Sequence, residues 1–143
     1  MPIPARVSFI TLCVRDLPAM ARFYRSLGWP ESKENDNHFA AFQCSGAILG
    51  LFGVENYTAT HGPAPAPGAF RGVVLAINMG SASEVDAAYE TLRQTDGATV
   101  HGAPQNLSFG GRAFEFSDPE GNVWEVAWAD GTAFNACGGL IFP

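Results

Sequence analysis

Glu125 is the residue of this 143-residue chain best placed to do chemistry. It lies in the stretch 109–128, where two alternating runs are joined by Asp118-Pro119-Glu120-Gly121. Proline presets φ at the second turn position and glycine accepts a positive φ at the end, so the stretch reads as a tight antiparallel hairpin. Trp124, Val126 and Trp128 alternate with Glu125, which turns the carboxylate away from the bulky apolar face. A type I turn with a glycine bulge sets Asp118 opposite Asn122. Phe116 then faces Trp124, Phe114 faces Val126, and Glu115 falls directly opposite Glu125. Two carboxylates with Cβ atoms about 5 Å apart repel, so a sheet selected for stability alone would not hold them there. They must share a proton, bind a cation or find a basic partner, and Arg112 is the nearest basic candidate in sequence. The chemistry on offer is capture of a cation, or acid–base work by Glu125 on a substrate with an acidic C–H or a hydroxyl.

The remaining polar groups narrow the choice. His38, His61 and His101 show no metal-ligand spacing and read as exposed or locally hydrogen-bonded. Cys13, Cys44 and Cys137 are odd in number; Cys13 and Cys44 lie in apolar runs, where a thiol behaves as a small buried hydrophobe. Eight basic against fourteen acidic residues give a net charge of −6, which argues against a nucleic-acid partner. No apolar run approaches the ~20 residues needed to span a bilayer, and no signal peptide is visible. A cytoplasmic protein with no membrane and no nucleic-acid partner is expected.

The elements that must position Glu125 occur twice. In the first half, 7–14 alternates as a strand, and Asp16 caps a helix with Pro18 in its first turn. Leu17, Met20, Ala21, Tyr24 and Leu27 recur at helical spacing, Phe23 broadens the stripe, and Gly28 ends it. Residues 38–44 and 47–52 read as a hairpin closed by Ser45-Gly46, with a weaker strand within 31–35. In the second half, 72–78 reads as a strand, and Ser81 with Glu84 has capping-box spacing. Val85, Ala88, Tyr89 and Leu92 then form a helical stripe stopped by Gly97, before a strand near 98–101 and the hairpin of Glu125. The expectation is one α+β domain over 1–143. Its modules span about 5–54 and 70–131, with a Pro/Gly-rich linker 55–69 and a tail 132–143.

Two such modules would bury a shared core and form a curved mixed sheet with a hollow between them. The sequence Ile10-Thr11-Leu12-Cys13-Val14-Arg15-Asp16-Leu17, with Phe23-Tyr24 and Leu27-Gly28-Trp29, carries a resemblance together with Asp118-Pro119-Glu120-Gly121-Asn122-Val123-Trp124-Glu125. These motifs resemble the vicinal oxygen chelate superfamily, which includes glyoxalase I, extradiol dioxygenases, fosfomycin-resistance transferases and bleomycin-resistance proteins. The resemblance implies two tandem βαβββ modules around a central cavity, and commonly a symmetric homodimer. In metal-dependent members, His, Gln or Glu on the first and last strands of each module hold a divalent ion. The equivalent positions here are Phe9, Gly50, Gly72 and Glu125, and one carboxylate does not make a metal site. No metal and no cofactor are therefore expected.

Alternation assigns the faces. Ile10, Leu12 and Val14 belong under the first helix with Leu49 and Leu51, leaving Phe9, Thr11, Cys13, Ile48, Gly50 and Phe52 toward the hollow. Val73, Leu75 and Ile77 belong under the second helix, leaving Gly72, Val74, Ala76 and Asn78. Small residues beside aromatics suggest room for a flat apolar ligand. The expected ligand-binding set is Phe9, Thr11, Phe52, Gly72, Val74, Asn78, Phe109, Arg112, Glu115 and Glu125. The reading that results is a small-molecule-binding protein of the bleomycin-resistance type, holding an aromatic or cationic ligand between apolar walls over an acidic floor. The alternative is a glyoxalase- or dioxygenase-like enzyme, with or without a metal, that uses Glu125 as its catalytic residue.

Overall fold

Asp16 and Ser81 begin the two helices around which the chain is organised. In the computed structural model, which describes residues 3–33, 35–64, 66–68, 71–108 and 110–141, the Asp16 carboxylate accepts a hydrogen bond from the Ala19 amide at 3.0 Å. The Ser81 hydroxyl accepts one from the Glu84 amide at 3.2 Å. Each satisfies an orphan donor of a first helical turn. The reciprocal half of the second capping box is displaced by one residue, because Glu84 Oε2 accepts from the Gly80 amide at 2.6 Å. The chain divides into two units, Met1–Ala64 with Cys137–Gly139 and Pro65–Ala136 with Leu140–Pro143.

The first unit comprises strand β1 (Phe9–Val14), helix α1 (Leu17–Ser26), strands β2 (Phe39–Gln43) and β3 (Ile48–Gly53), and helix α2 (Val54–His61). The sheet order is β1-β3-β2, with β1 parallel and β2 antiparallel to β3. Cys44 N–H donates to the Ala47 carbonyl at 2.9 Å and closes the β2–β3 hairpin at the expected place. The strand expected within 31–35 is reduced to a bridge from Glu31 to Phe42. Leu17, Met20, Ala21, Phe23 and Tyr24 of α1 are buried. On the facing sheet surface lie Phe42, Leu49 and Leu51, all buried, and the Tyr24 ring stands 5.9 Å from that of Phe42. Each of these large apolar side chains contributes roughly 1.5–3 kcal/mol through burial.

The second unit runs β4 (Leu75–Asn78), α3 (Ala82–Leu92), β5 (Thr99–Val100), β6 (Gln105–Leu107), β7 (Gly111–Ser117), β8 (Val123–Ala129), β9 (Ala133–Phe134) and β10 (Leu140–Ile141). Its main sheet has the order β4-β8-β7-β5, with β6 also on β7; β4 is parallel to β8 and the other pairs are antiparallel. The core lies under α3, where Val85 and Leu92 meet the layer of Phe114, Phe116, Trp124 and Val126. Phe116 stacks on Trp124 at 6.3 Å with rings 8° apart, and Tyr89 of α3 meets Phe114 edge-on at 5.5 Å.

The protein is thus an α+β chain of tandem βαβββ-like modules with mixed sheets. Two expected boundaries change. Part of the segment read as linker, 55–61, is helical within α2, and the tail read at 132–143 includes the β9–β10 hairpin. Gly72 does not begin a strand: at φ +77° it is in the left-handed region, and β4 starts at Leu75. Among the described residues, no helix is long and apolar enough to cross a membrane.

Candidate functional site

Each sheet has one face under its helix and one turned away from it, and the residues with chemistry collect on the second. In β7 and β8 the register pairs Phe114 with Val126, Phe116 with Trp124 and Glu115 with Glu125. The expected opposition of the two carboxylates is therefore present. It is set by a well-bonded turn. The Asp118 amide donates to the Asn122 carbonyl at 3.0 Å, and the Gly121 amide donates to the Asp118 carbonyl at 3.0 Å. The buried Asp118 carboxylate accepts from the Glu120 and Asn122 amides, both at 3.0 Å, and from the Asn122 side-chain amide at 2.8 Å. Arg71 donates to Asn122 Oδ1 at 3.0 Å. A turn held this way leaves the hairpin no freedom to slip by one residue, which would carry Glu115 to the other face.

Glu125 is half-buried and Glu115 exposed. Among the described residues neither has a basic partner. Arg112, expected near them, is a correction. It alternates onto the helix side with Phe114, where its Nε donates to Asp86 of α3 at 2.7 Å and its Nη1 to Asn106 at 3.0 Å. An Arg one strand position out of phase with Glu115 must point through the opposite face, and the Asp86 carboxylate holds it there.

The row across the second sheet is longer than the sequence revealed. Ala76 pairs with Glu125, Glu125 with Glu115, and the His101 amide donates to the Glu115 carbonyl at 2.8 Å. His101 Nε2 and the buried Ser117 Oγ share a hydrogen bond of 2.6 Å. His101 was expected to be exposed or locally hydrogen-bonded; it is exposed, but its bond reaches across to β7, sixteen residues on, and borders the acidic pair. The only signal for that was its position at the end of the strand that pairs with β7.

On the first sheet the far face is aromatic. Thr11 pairs with Gly50, and Cys13 with Phe52. Phe9 is 44% exposed, yet one edge of its ring covers the Gly50 backbone so closely that a Cβ built on Gly50 would lie 2.3 Å from it. Any side chain at position 50 would have to push the Phe9 ring aside. Phe9 stacks with Phe39 at 6.3 Å, and Phe39 meets the half-buried Phe52 edge-on at 5.0 Å. Burial pushes the Cys44 thiol up from its usual range, so it is a poor nucleophile.

The four positions that a divalent ion would require do not fit one. Phe9 fills the space above Gly50. Phe9 is two residues before Thr11, the partner of Gly50, and Val74 is correspondingly two before Ala76, the partner of Glu125. The internal repeat thus moves the third position from Gly72 to Val74, and neither can ligate through a side chain. Among the described residues, no group of three or more His, Cys, Asp or Glu could hold a metal. Of the other expected ligand residues, Thr11 and Asn78 are half-buried on far faces, Val74 is 45% exposed ahead of β4, and Phe109 lies outside the described residues.

Comparison with known proteins agrees with this architecture. Residues 6–126 match the family described as the Glyoxalase/Bleomycin resistance protein/Dioxygenase superfamily. A glyoxalase-related enzyme from Fulvimarina pelagi is 29% identical with a TM-score of 0.84, over 97% of this chain and 99% of that one. A glyoxalase/bleomycin resistance protein/dioxygenase from Nocardioides is 27% identical with a TM-score of 0.78, over 92% and 88%. Lactoylglutathione lyase from Agrobacterium tumefaciens shares the fold at 23% identity, with a TM-score of 0.69 over 88% of this chain and 95% of that one. No curated protein is a significant match. The matched segment takes in β1, both main helices and the β7–β8 hairpin as far as Val126. A match of that extent places the chain: it belongs to the glyoxalase/bleomycin resistance protein/dioxygenase superfamily.

Proposed function

We propose that the protein binds a small molecule carrying an aromatic or cationic group, in the manner of metal-free bleomycin-resistance-type members of its superfamily. The observation that carries the reading is the register of Glu115 against Glu125 on the face away from α3. Like charges directly opposite one another weaken a sheet by roughly 0.2–1 kcal/mol. With no basic side chain to neutralise them among the described residues, a cationic ligand would compensate both charges. Phe9 and Phe52, on the far face of the first sheet, are rings on which an aromatic group can stack. Superfamily membership itself supports a small-molecule site without indicating which molecule, because one scaffold carries many chemistries.

A thermal-shift screen of aromatic cations tests the reading, since a ligand at 100 times its dissociation constant adds about 2.7 kcal/mol of stability. Hits should lose affinity in Glu125→Gln and Glu115→Gln by about 1–3 kcal/mol. A screen in which neutral non-aromatic and anionic compounds stabilise the protein as well as aromatic cations do would refute it. A second reading, Glu125 as a general base, draws support from the His101–Ser117 pair beside Glu115, which could carry a proton away from the row. Turnover of a substrate with an acidic C–H, lost in Glu125→Gln, would favour that reading over simple binding.

A further inference from the structure

Helix α2 lacks the supports that hold α1 and α3. It has eight residues, Gly53 gives it no side-chain cap, and none of its residues is buried. Val54, Thr58 and Thr60 are β-branched, and both threonine hydroxyls turn back to carbonyls of the same helix. A helix of this length is marginal in water by itself and depends on packing of an apolar face. What α2 has instead is a pair of ring contacts, His61 at 6.3 Å from Phe52 of β3 and at 4.9 Å from Tyr57. Among the described residues no ion pair joins it to the sheet. A glycine stands at each end: Gly53, whose amide donates to the His38 carbonyl at 3.0 Å, and Gly62 at φ +88°.

The position of α2 gives this weakness a use. The helix follows β3 directly and lies against β1 as well. Along the far face of β1, exposure falls from 44% at Phe9, through half-buried Thr11, to 4% at Cys13. Cys13 pairs with Phe52, the residue before Gly53. The far face is therefore open at one end and closed at the end where α2 leaves the sheet. We infer that α2 is a lid over Cys13 and Phe52, hinged on Gly53 and Gly62, which melts as it lifts and leaves the sheet beneath it folded. Segments that open this way have few buried contacts to break, and α2 has two ring contacts and no buried side chain. Such a lid controls access to one end of the face whatever molecule uses it. It does not depend on Glu115 or Glu125, which belong to the second unit.

Cys13 is the reporter. With Cys44→Ser and Cys137→Ser it is the one thiol left, and its reaction with excess iodoacetamide at rising urea is followed by mass spectrometry. In low urea it should react through an opening far less steep in urea than global unfolding, because little surface is exposed. His61→Ala removes the ring contacts and should speed labelling about 10-fold. Thr58→Ala with Thr60→Ala raises helix propensity and should slow it about 5-fold. Val85→Ala, in the core of the second unit, should lower the urea midpoint of unfolding and leave the low-urea rate unchanged. A rate that follows global unfolding at every urea concentration, or that the α2 variants do not move, would overturn the lid. Amide hydrogen exchange of the unaltered protein reads the same opening should the cysteine replacements not fold. The amides of 58–61 should then exchange about 100-fold faster than those of 21–24 in α1. Equal protection of the two helices would also overturn it.

Discussion

The two modules are built alike beneath their helices and differently on the other side. Each opens its main helix with a side-chain cap and packs that helix on a layer of large apolar residues, with Phe42 in one and Phe116 in the other fully buried. On the far faces the first module carries stacked rings over Gly50, and the second carries Glu115, Glu125 and the His101–Ser117 pair. Packing constrains the helix sides in the same way in both units, so they stay similar. The far faces carry no such constraint, and there one module is aromatic and the other acidic.

If the cores are equivalent, Phe42→Ala and Phe116→Ala should each cost about 3–5 kcal/mol, the largest effects expected, measured by urea unfolding. A difference of more than a factor of two would show that one module dominates stability. The far faces should respond unequally to added bulk. Gly50→Val drives two methyl groups into the Phe9 ring and should cost about 1–3 kcal/mol, partly recovered in combination with Phe9→Ala. Ala76→Val, on an exposed position beside Glu125, should stay within about 0.5 kcal/mol. Equal costs at the two sites would erase the distinction drawn between a filled face and an open one.

A smaller effect concerns the pair between α1 and the strand bridge, where Arg25 Nε donates to Glu31 at 2.6 Å and Nη2 to its other oxygen at 2.9 Å. The Arg25 guanidinium holds the Glu31 carboxyl below its usual range. A depressed carboxyl contributes stability that is present above its unfolded pKa and is lost as pH falls through the folded value. Glu31→Gln should therefore lower the urea midpoint slightly at neutral pH. Its curve should converge on wild type as acid protonates the carboxyl, below about pH 4. A gap that widened in acid would contradict the assignment. The effect is small because Arg25 is more than half exposed.

The acidic pair was legible in the sequence because Asp118, Pro119 and Gly121 dictate one turn, and one turn fixes one register. The helices were legible for the same kind of reason: a cap, a period and a stop agreed at each. Arg112 was misplaced because nearness in sequence was allowed to outweigh the alternation that sends it to Asp86. Helix α2 was missed because Val54, Thr58 and Thr60 favour strands and no apolar stripe marks it. Its threonine hydroxyls donate to carbonyls within the helix instead, Thr58 to Glu55 at 3.0 Å and Thr60 to Asn56 at 3.1 Å. Gly72 was read as strand from the apolar run beside it, whereas its positive φ ends any ladder there.

The claim that Glu115 and Glu125 face each other for a ligand, at a cost to the fold, has a direct test that needs no ligand. Unfolding free energies at neutral pH are measured for Glu115→Gln, Glu125→Gln and the double variant. Each single substitution removes the same repulsion, so each should preserve stability or raise it by up to about 1 kcal/mol, and the second should add less than the first. Two single variants that each lose stability, with losses that add in the double, would show that the carboxylates hold the sheet together and would contradict the account.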